Sequence, residues 1–170
     1  LHESLSEIPA AEWDAVSAPE QAEGRPLDPF TTHRFLSTLD LSGSTGKGTG
    51  WQARPLVLRE GGKLVAATPL YVKSNSQGEY IFDHGWADAL ERAGGRYYPK
   101  LQIAVPFTPA TGRRFLGADE HRDTLWQAAI GIAAQNRLSS LHATFCTADE
   151  AEALAGVEGT LHRITLQFHW

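Results

Sequence analysis

Asp83, His84, Trp86, Asp88, Arg96, Tyr97, Tyr98 and Lys100 fall within one stretch punctuated by glycine and proline, GEYIFDHGWADALERAGGRYYPKLQIAVPFTPATG, residues 78–112. A segment built only for a core has no use for so many ionisable and aromatic groups in its turns. Loops that carry such groups on a rigid scaffold are where binding and catalysis concentrate. Asp83 and His84 are the residue types that accept a proton, and Tyr97 and Tyr98 can donate one, so the set suits acid–base chemistry. Lys100, Arg96 and Asp88 suit holding a charged peptide or sugar-phosphate, with Trp86 stacking on a sugar ring. The structural alternative is that these aromatics pin an irregular loop to a sheet while Asp83 caps local amides.

The turn that closes this stretch, VPFTPATGRR, is a candidate anion site. It follows an expected central strand and precedes the longest expected helix, and strand ends in open α/β sheets collect ligands. Thr108, Thr111, Gly112, Arg113 and Arg114 offer hydroxyls, amides and guanidinium forks for a pyrophosphate. Pro106 and Pro109 each withdraw an amide donor, and the alternative is an ordinary surface turn. SGSTGKGTG is no phosphate-binding P-loop. That motif needs four residues between its first glycine and Gly-Lys, then Ser or Thr, whereas Gly43 lies two residues before Gly46's neighbour Thr45 and Gly48 follows Lys47.

Metal chemistry finds no support in the spacing. No two histidines stand at i, i+4, there is no Cys-x-x-Cys, and His142 with Cys146 on one strand face supplies too few ligands. Cys146 has no identifiable partner base and reads as a small core residue. No Gly-x-Ser-x-Gly elbow surrounds a serine.

These residues must be positioned by the elements around them. SEIPAAEWDAV reads as a short helix with Pro9 in its first turn, and residues 17–29 read as a loop. TTHRFLSTLDLSG reads as a second helix, with Thr31 or Thr32 as cap, Phe35, Leu36 and Leu39 as its apolar face, and Gly43 as its stop. SGSTGKGTG connects it to a hairpin, RPLVLR and KLVAATPLYVK around Gly61-Gly62. Pro69 within the second run predicts an edge position or a bulge. A short helix over 86–93, a buried strand LQIAV, a helix over 119–137 and a strand SSLHATF follow. TADEAEALAG predicts a capping box between Thr147 and Glu150, and TLHRITLQFHW alternates as a last, half-buried strand. The expected architecture is α/β (α+β), a mixed sheet with helices on its faces.

Composition narrows the function classes. The chain has 170 residues, 42% hydrophobic and 21% charged, the proportions of one globular domain able to bury a core without disulfides. One cysteine allows no intramolecular disulfide and fits a reducing compartment. A net charge of −5 with no dense Lys/Arg cluster argues against binding duplex nucleic acid. No apolar run approaches the ~20 residues of a membrane span, and no basic-then-apolar signal pattern opens the chain, so a cytoplasmic location is expected. The start at Leu1 and the stop at Trp170 inside an alternating strand predict one unit of a longer polypeptide.

The segment FDHGWADALERAGGRYYPKLQIAVPFTPATG resembles the FemAB-like peptidoglycan biosynthesis/recognition proteins, relatives of the GNAT acyltransferases. The resemblance implies a GNAT-like mixed sheet, and an acyl- or aminoacyltransferase acting on an amine in cell-wall peptide metabolism. The acyl donor would be acetyl-CoA or aminoacyl-tRNA, with no metal, and the acceptor a small molecule or peptide. In that chemistry Asp83 or His84 is the candidate base and Tyr97 the candidate acid. Asp83, Trp86, Asp88, Arg96, Tyr97, Tyr98 and Lys100 form the acceptor site, and Thr108, Thr111, Gly112 and Arg113 the cofactor turn. The chain lacks the Arg/Gln-x-x-Gly-x-Gly/Ala pattern of GNAT enzymes at that turn. Relatives generally carry two such units, so this chain would be the N-terminal, acceptor-binding one. Its partner would be a second GNAT-like half, or another copy joined through an open edge at Pro69 or Phe168. The other function class in play is a non-catalytic module that recognises a cell-wall precursor or a protein.

Overall fold

The computed structural model describes residues 1–18, 28–81 and 83–164. Its N-terminal part is a pair of short helices. Helix α1, Ala10–Ser17, starts after Pro9, whose ring holds φ at −57°. Helix α2, His33–Leu41, is capped by the Thr32 hydroxyl, which accepts from the Phe35 amide, and the chain turns away at Gly43 with φ +72°. Trp13 of α1 is fully buried and donates its indole N–H to the Thr31 carbonyl at 2.8 Å. That bond locks the helix pair to the turn between them.

Among the described residues, seven strands form two sheets joined by one broken strand run. β2, Leu56–Glu60, and β3, Lys63–Thr68, make the expected hairpin around Gly61-Gly62. β6, Leu116–Gly117, pairs with the far side of β3. The second sheet is β1 (Trp51–Ala53), β4 (Leu70–Lys73), β5 (Lys100–Ile103) and β7 (Leu141–Ala143), in that order, antiparallel except for the parallel β5–β7 pair. The β5–β7 crossover runs through α4, Arg122–Gln135. Helix α3 is His84–Arg92, and α5, Ala148–Ala155, begins with the Thr147–Glu150 capping box in both its hydrogen bonds.

The mixed α/β class expected from the sequence is present, with one of the two sheets mixed. Helices flank the three-stranded sheet on both faces: α1 and α2 pack on Leu64, Ala67 and Leu116, and α4 brings Leu125, Trp126 and Ala129 against Leu56 and Ala66. Leu64 and Ala66 reach opposite faces because the ladder slips between Leu58↔Ala66 and Arg59↔Leu64, which leaves Val65 as a bulge. β6 follows the same tight course. Gly117 has φ +102°, and a Cβ there would meet the Val65 carbonyl oxygen.

Pro69 is a break and not an edge. β3 lies between β2 and β6, and β4 between β1 and β5, so neither half of that run offers an open side. The physical reason is local: proline has no N–H to continue a ladder. The run therefore hands over from one sheet to the other at Pro69, whose carbonyl still accepts from the Ala104 amide at 3.2 Å. Two short strands were not legible, β1 and β6. The expected last strand lies mostly in 165–170, outside the described residues; within 160–164 there is no strand, and Ile164 is 84% exposed.

Candidate functional site

The four-stranded sheet has one apolar face and one polar face. Leu70, Val72, Leu101, Ile103, Leu141 and Ala143 point toward α4 and α5 and join the main core. By the two-residue period of a strand, Tyr71, Lys73, Lys100, Gln102 and His142 point the other way. Lys73, Lys100 and Gln102 are nonetheless fully buried. A buried ammonium is tolerated only when paired and hydrogen-bonded, and Gln77, Glu79 and Asp83 supply the partners.

Lys100 Nζ donates to Asp83 Oδ2 at 2.9 Å and to Glu79 Oε2 at 3.1 Å, with both carboxylates buried. The Tyr97 hydroxyl donates to the same Asp83 Oδ2 at 2.9 Å. His142 Nδ1 lies 3.8 Å from that oxygen, and the Tyr97 ring meets the imidazole edge to face at 6.1 Å. Asp83 Oδ1 receives Arg163 Nη1 at 3.1 Å from the C-terminal side. Lys73 Nζ donates to the Gln77 carbonyl at 3.0 Å and sits 3.7 Å above the Trp51 ring. Trp51 Nε1 donates to the same carbonyl at 2.9 Å. Two aromatic contacts close this end. Gly78, φ +75°, has no room for a Cβ beside Phe107 and Trp51, and Phe107 itself holds φ +59°.

Burial and charge set the protonation states. For Asp83, burial alone pushes the carboxyl up, but the Lys100 hydrogen bond and charge and the Tyr97 hydroxyl outweigh it and hold it below its ordinary value. Burial dominates at Glu79, which stays raised although Lys100 and Lys73 pull it down. It also raises the Tyr97 phenol, helped by the hydrogen bond to Asp83, so Tyr97 remains an O–H donor. Lys73 comes down to about 8, chiefly through burial. His142 comes down to about 4 through burial and then Lys100, so its ring is neutral at physiological pH. The result is an ionised carboxylate held in place by a buried ammonium and a phenol. Asp83 in this state is a better holder of a cation than an acceptor of a proton.

Of the residues singled out in the sequence, the fold brings Asp83, Tyr97 and Lys100 together and sets Tyr98 edge to face against Tyr97, ring centroids 5.0 Å apart. His84, Trp86 and Asp88 lie on the exposed side of α3, and Arg96 is exposed beyond it; Trp86 is 63% open to solvent. Lys73, Glu79, Gln102, His142 and Arg163 belong to the network and were not singled out. For two of them, Gln102 and His142, a signal existed. KLQI and SLHAT each alternate polar with apolar residues, which puts Lys100 with Gln102, and Ser140 with His142 and Thr144, on one face.

Thr108, Thr111, Gly112 and Arg113 do share one turn, after β5. Thr108, Gly112 and Arg113 already have partners within the chain. The Gly112 amide donates to the Phe145 carbonyl at 3.0 Å, and the Thr108 hydroxyl to the Pro106 carbonyl at 3.1 Å. Arg113 donates to the Gly117 carbonyl and lies 3.5 Å from Asp119. Arg114 is buried, its guanidinium bound to the carbonyls of Thr144 and Ala110. The Glu150 carboxylate accepts from the amides of Arg114, Phe115 and Thr147. Among the described residues no group of three His, Cys, Asp or Glu could hold a metal ion, and no helix is long and apolar enough to cross a membrane.

Residues 4–170 match the FemAB-like family, described as peptidoglycan biosynthesis/recognition. The chain belongs to that family. No curated protein and no solved structure matches it.

Proposed function

We propose that this chain is the acceptor-binding unit of a GNAT-like acyl- or aminoacyltransferase that works on peptidoglycan peptides at the cytoplasmic side. The observation that carries this reading is the buried carboxylate of Asp83, held ionised by Lys100 and Tyr97 at the margin of the polar sheet face. Fixed charge of this kind orients an amine-bearing peptide without having to reorganise. Family membership supports the peptidoglycan assignment. Trp86 and Asp88 on exposed α3 would extend the same surface toward a sugar ring or a second charge, and Arg96 toward a carboxylate. The acyl donor, acetyl-CoA or aminoacyl-tRNA, and a second GNAT-like half are part of the proposal.

A second reading, a recognition module with no chemistry of its own, is favoured by one observation. The turn after β5 spends its amides on Phe145 and on the Glu150 carboxylate, and its buried guanidinium on backbone carbonyls. Calorimetric titration of the chain with a muropeptide and with acetyl-CoA separates the two. Muropeptide binding that weakens in Asp83→Asn or Trp86→Ala supports the acceptor site. Acetyl-CoA binding that weakens in Thr111→Ala or Arg113→Ala adds the donor site, and its absence leaves recognition alone. Muropeptide binding indifferent to all of these substitutions would sink the site.

A further inference from the structure

We propose that the Oδ1 side of Asp83 is a subsite for a cationic N–H donor, an ammonium or guanidinium on the acceptor, and that Arg163 occupies it in the free protein. The inference rests on the acceptor-binding reading above and specifies what the site would hold. The two oxygens of Asp83 have different environments. Oδ2 is held from within by Lys100 Nζ and the Tyr97 hydroxyl, both at 2.9 Å. The partner of Oδ1 among the described residues is the half-exposed Arg163 side chain, with Nη1 at 3.1 Å.

Arg163 is a weak occupant on a loosely held segment. Its side chain is 53% exposed, residues 160–164 have no regular structure, and Leu161 and Ile164 beside it are 88% and 84% exposed. Among the described residues, all four side chains of 161–164 are exposed, and half-exposed ion pairs contribute little. The carboxylate it meets is immobile and stays in place when Arg163 leaves.

A separate observation points to the sign and hydrogen-bonding character of the ligand. Glu79 is 3% exposed and its Oε1 has no hydrogen-bond partner; Gln102 is fully buried and its Oε1 has none either. Both of these oxygens are acceptors, and each would take a hydrogen bond from an added donor. The charge count agrees. Lys73 and Lys100 balance Glu79 and Asp83, His142 is neutral, and Arg163 adds one positive charge at the margin. An ammonium replaces that charge one for one, whereas an anion would meet the Asp83 carboxylate.

The test uses the whole chain as wild type, Arg163→Ala and Asp83→Asn. The probes are n-butylammonium, with n-butanol as its uncharged counterpart at matched ionic strength, read by NMR at the Asp83 carboxylate and the His142 ring. Expected are shifts with butylammonium and not with butanol, about fivefold tighter binding in Arg163→Ala, and loss of the response in Asp83→Asn. Equal effects of the two probes, or no tightening in Arg163→Ala, overturns the subsite. The Arg163→Ala arm decides even if Asp83→Asn folds poorly. A lysine-containing muropeptide and its norleucine counterpart give the second arm. Muropeptide binding with no butylammonium response rejects the subsite and keeps the acceptor reading; a butylammonium response with no muropeptide binding does the reverse.

Discussion

Lys100 and Asp83, seventeen residues apart, meet at 2.9 Å with the ammonium fully buried and the carboxylate 4% exposed. The pair ties the sheet to the loop that opens α3, and Glu79 shares the same ammonium. A buried charge that loses its partner costs more than the pair itself contributes. Lys100→Met is therefore expected to destabilise the fold by about 3 kcal/mol in urea unfolding. Adding Glu79→Gln removes one of the two stranded carboxylates and should recover part of that loss. Additive losses in the double variant would show that the two residues do not share one network.

The Tyr97 hydroxyl supports the same carboxylate from the side. Tyr97→Phe keeps the ring against Tyr98 and His142 and removes only the donor to Asp83 Oδ2. The expected loss is about 1 kcal/mol of stability. The Asp83 carboxyl should also titrate higher than in the wild type, because one of the bonds favouring its ionised form is gone. An unchanged Asp83 titration by carboxylate NMR would contradict this.

Much of this arrangement was legible in the sequence wherever one local signal sufficed. Thr32 and Thr147 cap their helices because a hydroxyl accepts from an orphan amide three residues on, and Gly61-Gly62 turns the hairpin because glycine tolerates φ of 54° and 85°. The grouping of Asp83, Tyr97 and Lys100 was visible as one dense stretch. What joins them was not: Glu79, His142 and Arg163 reach Lys100 and Asp83 through tertiary folding, Arg163 across eighty residues. Strands β1 and β6 escaped because two or three residues carry too little periodicity. Pro69 signals an edge or a bulge through its missing N–H, without saying that a second sheet takes up the chain.

Glu150 serves two elements at once. Its carboxylate completes the capping box at Thr147 and receives the amides of Arg114 and Phe115, which lead into β6. Glu150→Gln keeps the size and gives up the charge-assisted bonds; a loss of about 2 kcal/mol is expected. Thr147→Ala, which touches the helix cap alone, should cost about 1 kcal/mol. If both variants lose the same stability, the bonds to Arg114 and Phe115 carry no weight.

Gly117 offers a test of the sheet itself. With φ +102° and the Val65 carbonyl where a Cβ would stand, Gly117→Ala must move the β3–β6 pair apart. The expected cost is about 2 kcal/mol, from the strained backbone together with the contact. Gly131 in α4 has open space around it, and Gly131→Ala should stabilise by up to about 1 kcal/mol through helix propensity. Thermal unfolding of both variants distinguishes these opposite signs.

His142 makes stability depend on pH in a window that its neighbours define. Burial, and after it Lys100, hold the folded imidazole at about 4 against an ordinary 6.5, with Asp83 pulling the other way. Below pH 6.5 the unfolded chain takes up a proton that the folded chain refuses, so stability falls as pH drops from 6.5 toward 4 and levels off beneath it. Glu79, raised by burial, contributes with the opposite sign just above its ordinary 4.5, and Asp83, held down, matters only below 3.8. Subtracting the profile of His142→Gln from that of the wild type isolates the imidazole. The difference should change by at most about 1.4 kcal/mol per pH unit between 6.5 and 4, with the variant gaining on the wild type as the solution becomes more acidic. Parallel urea-unfolding profiles across that range would show that the ring is not held neutral by Lys100 and its surroundings.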